Sequence, residues 1–271
     1  MLFVSSFKKP SMTQSAPVKI AVAGALGRMG QAVLRAAESQ PDITAAARFD
    51  RPGKTGEGLV DIDTAMDAAQ VIIDFTQAEA STVLAERCAD NGGPALVVGS
   101  TGFSPEQEER LIAASERIPI LVSGNFSLGV NMLLGLVAQA AHALPARDWD
   151  IEVFEAHHRR KMDAPSGTAL MLGQAAAFGR DVSLDEVAER GRDGLTGERA
   201  PGAIGFSVLR GGGIIGEHSV VFAAEDEILT LSHSARDRGL FARGALEAAR
   251  WLADKPAGLY DMQDVLGFND E

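Results

Sequence analysis

Through the first half of the chain, short apolar runs alternate with amphipathic stretches. The run 18–23 is apolar at nearly every position and leads through a Gly-rich turn into a helical pattern over 31–38. Apolar runs recur at 43–49, 71–75, 95–99 and 120–122, with helical spacing over 78–89 and 105–117. Strands that stay apolar at consecutive positions and are separated by helices are buried on both faces, which predicts a parallel sheet in an α/β fold. The period then changes. After a helix over 128–143, the segment 149–155 alternates apolar and polar residues, as a strand with one buried face does. Further strands are expected at 205–210, 217–222 and 227–233. The gaps Gly211-Gly212-Gly213 and Ala224-Glu225-Asp226 are of hairpin length and point to an antiparallel or mixed sheet in a second, α+β domain. The segment 190–201, with Gly191, Gly194 and Gly197, reads as that domain's long polar loop. A last helix over 240–253 has the character of the first-half helices, so the chain is expected to return to its first domain. The expected layout is a disordered leader over 1–16, with Met1 or Met12 as the start, a first domain over 17–126, a second over 127–237, and the return over 238–271.

The turn after the first strand is Gly24-Ala25-Leu26-Gly27-Arg28-Met29-Gly30. Strand, Gly-rich turn and helix are the context a dinucleotide-binding fingerprint requires, although the spacing is GxxGxxG, with Leu26 where GxGxxG has its second glycine. Gly24 suits the tight turn, Gly27 the approach of a pyrophosphate, and Gly30 close helix–strand packing. Asp50 follows the next strand, twenty residues after Gly30, where an acid accepts hydrogen bonds from ribose hydroxyls. Arg51 beside it suits a 2′-phosphate, so NADH and NADPH both remain open. The loops Thr76-Gln77, Ser100-Thr101-Gly102-Phe103 and Ser123-Gly124-Asn125-Phe126 fall at carboxyl ends of strands, the edge at which open α/β sheets bind ligands. The first domain is therefore a Rossmann-like one.

Composition narrows the field. The chain has 271 residues, 46% of them hydrophobic, and a formal net charge of -12, which argues against nucleic acid as a partner. No run approaches the ~20 apolar residues of a membrane span, and residues 2–9 lack the form of a signal peptide. The single Cys88 excludes an intrachain disulfide and suits a reducing cytoplasm.

Against that acidic background, His157-His158-Arg159-Arg160-Lys161 gathers two imidazoles and three cations. Asp163-Ala164-Pro165-Ser166-Gly167-Thr168 follows and opens into an apolar helix over 169–175. The first N–H groups of a helix are unpaired, so such an opening binds anions. Basic runs are more often solvated faces. Here, two of the chain's five histidines stand side by side in the run, which points to a small anionic ligand that needs a proton. His218 and His233 fall on strands and are expected to be structural. Arg238, near the inferred hinge, suits a ligand phosphate or carboxylate, or else a surface ion pair.

With these residues in place, the chain resembles the dihydrodipicolinate reductase family over nearly all of 19–268. The matching motifs are the turn 22–30, Asp74-Phe75-Thr76, Gly99-Ser100-Thr101-Gly102-Phe103, Asn125-Phe126-Ser127-Leu128-Gly129-Val130-Asn131, and the block from Glu155 to Ala169. That last block is highly specific, the glycine motif alone much less so. The resemblance implies reduction of a cyclic, unsaturated dicarboxylate by NADH or NADPH, in a homotetramer assembled through the second domain's sheet. It implies that His157 is the acid/base and Lys161 the second proton donor, and that His158, Gly167 and Thr168 bind substrate. It assigns the cofactor to Gly24, Ala25, Leu26, Gly27, Arg28, Met29, Asp50, Gly99, Ser100, Thr101, Ser123, Gly124, Asn125 and Phe126; Arg51 and Arg238 are counted with them. Ser100 stands where many members have Thr, and Asp50-Arg51 where many have Glu-Arg, a shorter acid with less reach to the ribose. On this reading Lys161 pairs with the substrate and not with a neighbouring acid, and the domains close around Phe126 and Arg238.

Rival readings fare worse. A semialdehyde dehydrogenase needs a nucleophilic Cys in a strand-end loop, and Cys88 lies in a helical pattern. A homoserine-type dehydrogenase leaves the Pro-Ser-Gly-Thr opening unexplained. A silent NADPH-binding sensor has no need of Lys161. A metal hydrolase would need His157 and His158 on one metal, but adjacent residues on a strand diverge, so no metal is expected.

Overall fold

The computed structural model describes residues 16–54 and 56–269. All but Ala16 of the expected leader, and the choice between Met1 and Met12, lie outside the described residues. The chain begins with β1 (Val18–Ala23), α1 (Arg28–Ala37), β2 (Ile43–Phe49), α2 (Ile62–Ala68), β3 (Val71–Asp74), α3 (Ala78–Asp90), β4 (Ala95–Val98), α4 (Pro105–Ser115) and β5 (Pro119–Val122). It continues with α5 (Leu128–Ala143), β6 (Asp150–His157), α6 (Gly167–Gly179), α7 (Leu184–Val187), β7 (Ala188–Glu189), β8 (Ile204–Arg210), β9 (Glu217–Ala223) and β10 (Ile228–Ser234). It ends with α8 (Gly239–Leu252), β11 (Gly258–Tyr260) and α9 (Met262–Leu266).

The first sheet has the strand order β11-β5-β4-β3-β1-β2 and is parallel throughout. Every residue of β3 and β4 is buried, because successive side chains enter two different cores. Ile20, Val22, Val71, Ile73, Val97 and Leu121 pack with α1 and α8 on one face. Ile72, Leu96, Val98 and Ile120 pack with α2, α3 and α4 on the other. The final helix and β11 thus bring the chain back to the first sheet, the helix onto a face and the strand beside β5. The strand order reverses between β1 and β3, and the carboxyl edge there is where such folds bind ligands.

The second sheet has the order β10-β9-β6-β8-β7 and is mixed. Its strand β6 is parallel to β8 and antiparallel to β9. One face carries Ile151, Val153, Ile204, Phe206, Val220 and Phe222 against α5 and α6. Among the described residues no helix packs on the other face, which leaves Phe154, Leu209 and Ile228 exposed. The expected hairpin at Ala224-Glu225-Asp226 joins β9 and β10, but Gly211-Gly212-Gly213 closes none. There β6 lies between β8 and β9, so the glycine segment crosses the end of β6 instead of turning back on β8. Its backbone is spent on that end: Gly211 N–H donates to His157 O at 2.9 Å, and Gly212 O accepts from Arg159 N–H at 3.3 Å.

Candidate active site

The first half of the site is built from backbone. Gly24 has φ +63, and a side chain there would meet Thr76 Cγ2 at 2.8 Å. At Gly30 a Cβ would lie 2.4 Å from Gly24 O and 2.8 Å from Ala25 Cα, so glycine alone lets α1 start this close to β1. The helix begins at Arg28, three residues before the start expected from the apolar pattern, and its N-cap Gly27 makes no side-chain hydrogen bond. The N–H groups of Arg28, Met29 and Gly30 are thereby left to a ligand, with the positive end of the helix dipole behind them. This cradle fits a dinucleotide pyrophosphate. Asp50 stands beside it, accepting from Leu26 N–H at 3.0 Å and from Arg51 N–H at 2.9 Å, which fixes its carboxylate at the end of β2.

The neighbouring strand-end loops join this cradle. Gly99 follows β4, and Ser100 Oγ lies 2.7 Å from Ser81 Oγ in the interior, so the Ser100 hydroxyl braces its own loop. Thr101 is exposed beside Gly124. Buried Asp74 accepts from Thr76 N–H at 2.8 Å, and burial pushes its carboxyl above the usual range. The crossing 123–127 is cross-braced. Asn125 O accepts from Ser123 Oγ and Asn131 Nδ2, its Oδ1 accepts from Ser127 N–H, and Phe126 is buried against Phe75. Asn125 Nδ2 also donates to Thr168 Oγ1 at 3.2 Å, tying this crossing to α6.

The second half is built from side chains. Ser166 caps α6, its Oγ accepting from Ala169 N–H, and nothing lies within 4 Å of a Cβ placed on Gly167. His157 ends β6 with its side chain 12% exposed and its Nδ1 2.6 Å from Glu155 Oε2. The Nε2 nitrogen faces Gly216, where a Cβ would lie 3.2 Å away, so the missing side chain keeps that nitrogen approachable. His158 follows, its basicity lowered by desolvation and by the charges of Arg160, Arg238 and His157. Lys161 Nζ lies 2.8 Å from Asp163 Oδ2, and that contact holds the Asp163 carboxyl below its usual range. The expectation that Lys161 avoids a neighbouring acid is therefore corrected: the turn Lys161-Met162-Asp163 folds the two side chains together. Arg159 and Arg160 are exposed.

Four residues have roles here that the sequence did not assign. Glu155 is 1% exposed, yet it is ionised: burial would raise its carboxyl, but hydrogen bonds from Arg210, His157 and Ser166 N–H outweigh this and hold it below the usual range. Arg210 meets it with both terminal nitrogens. His218, expected to be structural, is buried with its ring 5.1 Å from that of His157. Burial and the neighbouring His157 push it down to about 4. Gly216 is the fourth. Register alone joins Glu155 to His218 across β6 and β9, so the tertiary signal was the alternation of β6, which points Ile151, Val153 and Glu155 to one face. Arg238 heads α8, and its charge acts on His158, whereas His233 lies 3.5 Å from Ser127 Oγ. Cys88 is buried, its thiol pushed up to about 12, so it offers no thiolate. Among the described residues no helix is long and apolar enough to cross a membrane.

Comparison with known proteins finds relatives over nearly the whole chain. The chain matches the family models for dihydrodipicolinate reductase, N-terminus, over 18–126 and C-terminus over 129–266. It is 70% identical over 254 residues to 4-hydroxy-tetrahydrodipicolinate reductase of Caulobacter vibrioides, covering 94% of this chain and 99% of that protein. It is 50% identical to the reductase of the same name from Rhizobium rhizogenes, covering 93% and 97%. Its fold is similar to that of a dipicolinate-bound dihydrodipicolinate reductase from Paenisporosarcina sp. TG-14, with a TM-score of 0.76 at 21% identity over 92% of this chain and 98% of that one.

Proposed function

The chain belongs to the dihydrodipicolinate reductase family, and on that premise we propose that it reduces 4-hydroxy-tetrahydrodipicolinate to tetrahydrodipicolinate, a step of lysine and diaminopimelate biosynthesis. The observation that carries this reading is His157 beside the capped opening of α6, across the Asn125–Thr168 hydrogen bond from the dinucleotide cradle. A nicotinamide cofactor held at Gly24, Ala25, Leu26, Gly27, Arg28 and Met29 supplies hydride when bound. Gly99, Ser100, Thr101, Ser123, Gly124, Asn125 and Phe126 shape the rest of its groove. His157 supplies the proton that the reduced ring requires. One substrate carboxylate takes the free N–H groups at Gly167 and Thr168. The other takes His158 and Lys161, which must exchange Asp163 for the substrate. Arg238, at the head of α8, adds positive charge beside His158.

Asp50 favours ribose hydroxyls and Arg51 a 2′-phosphate, so we expect use of both NADH and NADPH with a lean to NADH. The exposed apolar residues on the uncovered face of the second sheet support assembly of further copies there, as a homotetramer. The single unpaired cysteine fits the cytoplasm. The deciding measurement is oxidation of NADH and of NADPH with the aspartate semialdehyde–pyruvate condensation product as substrate. Pyridine dicarboxylates should inhibit distinctly better than their monocarboxylate analogues, and equal inhibition would sink the two-carboxylate clamp. Absence of turnover with either cofactor would sink the reading itself.

A further inference from the structure

Glu155 lies behind His157, away from the opening to solvent, yet four hydrogen bonds converge on its carboxylate. Arg210 Nη1 donates to Oε2 at 2.8 Å and Nη2 to Oε1 at 2.7 Å, Ser166 N–H donates to Oε1 at 3.0 Å, and His157 Nδ1 lies 2.6 Å from Oε2. The same Arg210 Nη2 donates to Asp163 O at 2.7 Å, and Asp163 holds Lys161. A single buried anion therefore reaches the proton-exchanging imidazole, the N-cap of α6 and the loop of Lys161. Stability does not explain such an arrangement well, since an apolar pair of similar volume usually serves a protein interior at least as well as an ion pair. What an apolar pair cannot do is accept a proton bond from Nδ1.

We infer that Glu155, held ionised by Arg210, is a positioning residue that keeps a proton on His157 Nδ1, so that Nε2 is the nitrogen that exchanges a proton with the substrate. The inference rests on His157 being the acid/base. In the step itself the imidazolium gives its Nε2 proton to the substrate atom that has gained the electron pair. The N–H bonding pair stays on the ring, which becomes neutral with its Nδ1–H still donated to Glu155. Glu155 is a carboxylate before and after, and one proton moves. Which ring nitrogen carries the proton is set by the bond the other one makes, and here a carboxylate on Nδ1 fixes the answer. Gly216 completes the arrangement by leaving Nε2 uncovered.

The test combines nitrogen-15 NMR of the histidine rings with steady-state kinetics on the full-length enzyme. In the wild type, neutral His157 should carry its proton on Nδ1, its signals identified by their loss in His157→Gln. A proton on Nε2 would overturn the inference without any variant. Glu155→Gln should give mixed protonation of the ring and a kcat lower by roughly one to three orders of magnitude, within the range of acid–base contributions, with NADH affinity unchanged. Glu155→Asp should recover part of that kcat, and Arg210→Lys should lower kcat and raise KM as the Asp163 loop loosens. If Glu155→Gln does not fold, Glu155→Asp and Arg210→Lys carry the same kinetic test. Should His157→Ala be inactive while Glu155→Gln keeps wild-type kcat and Nδ1 protonation, the positioning role fails alone. Near-normal turnover by His157→Ala would instead remove the acid/base reading beneath it.

Discussion

The two halves of the site are made of different material. On the first sheet the candidate surface is mostly main chain: open N–H groups of α1 and glycines that approach within contact distance. On the second, side chains join the main-chain opening of α6: His157 rests on a buried carboxylate, and Lys161 is held by Asp163 beside it. The cause lies in the sheets. A parallel sheet covered on both faces has no polar face to offer, so chemistry is left to the backbone at its edge. A mixed sheet whose covered face ends in Glu155, His157 and His218 can place titratable groups on the strands themselves. A main-chain site is damaged by adding atoms, a side-chain site by removing them.

That contrast gives its own tests. The largest effects come from a crossed pair. His157→Ala should slow turnover by roughly two to four orders of magnitude and leave NADH affinity intact. Gly30→Ala places a methyl 2.4 Å from Gly24 O; it should weaken NADH binding at least tenfold and cost about 1–3 kcal/mol of stability, the scale of overpacking, with kcat at saturating NADH little changed. Fluorescence titration and urea denaturation read both. Loss of NADH binding in His157→Ala would break the division.

Next in size is Gly216→Ala, which tests whether the second half also depends on an absent side chain. The added methyl sits 3.2 Å from His157 Nε2 and should lower kcat/KM by roughly ten- to a hundredfold, as small misplacements of reacting groups do. An unaltered kcat/KM would mean that the substrate approaches His157 from another side.

The last test leaves turnover aside and reads stability against pH. His218 faces His157, Glu155 and Lys161, with His233 6.5 Å away, and is held neutral at about 4 against an ordinary 6.5. The unfolded chain takes up the proton first, so stability is complete above pH 6.5 and falls as the pH drops toward 4. The whole interval is worth roughly 3 kcal/mol. His218→Gln should flatten that part of the profile in denaturation measured across pH. A decline as steep as that of the wild type would assign it to other groups.

Much of the fold was legible because it rests on local period. The helix Leu128–Ala143 and the strand Val18–Ala23 have the bounds their apolar patterns predict, and consecutive burial in β3 and β4 is written in Val71-Ile72-Ile73 and Leu96-Val97-Val98. Pairing was less legible. Three glycines between two strands read as a hairpin because chain distance says nothing about β6 lying between β8 and β9. In the site, His157 and Lys161 stood out by clustering, whereas Arg210 is 55 residues from Glu155 and meets it only through the β6–β8 pairing. Asp163 was in view, but its hold on Lys161 depends on how the loop turns. Short β11, β7 and α9 carry too few residues for a period to register.

The return of the chain to its first sheet bears on how the protein is born. The core under α1 contains Ala242, Ala245, Leu246, Ala249 and Leu252, and Met262 closes it. A chain emerging from the ribosome presents β1 first but cannot cover that face of the sheet until α8 has been synthesised. The β6–β10 unit, whose residues are all available earlier, finishes inside an unfinished partner. The glycine turn begun at Gly24 thus belongs to the half of the molecule that is completed last, and a nascent chain stopped before 239 carries an apolar sheet face that α1 covers only in part.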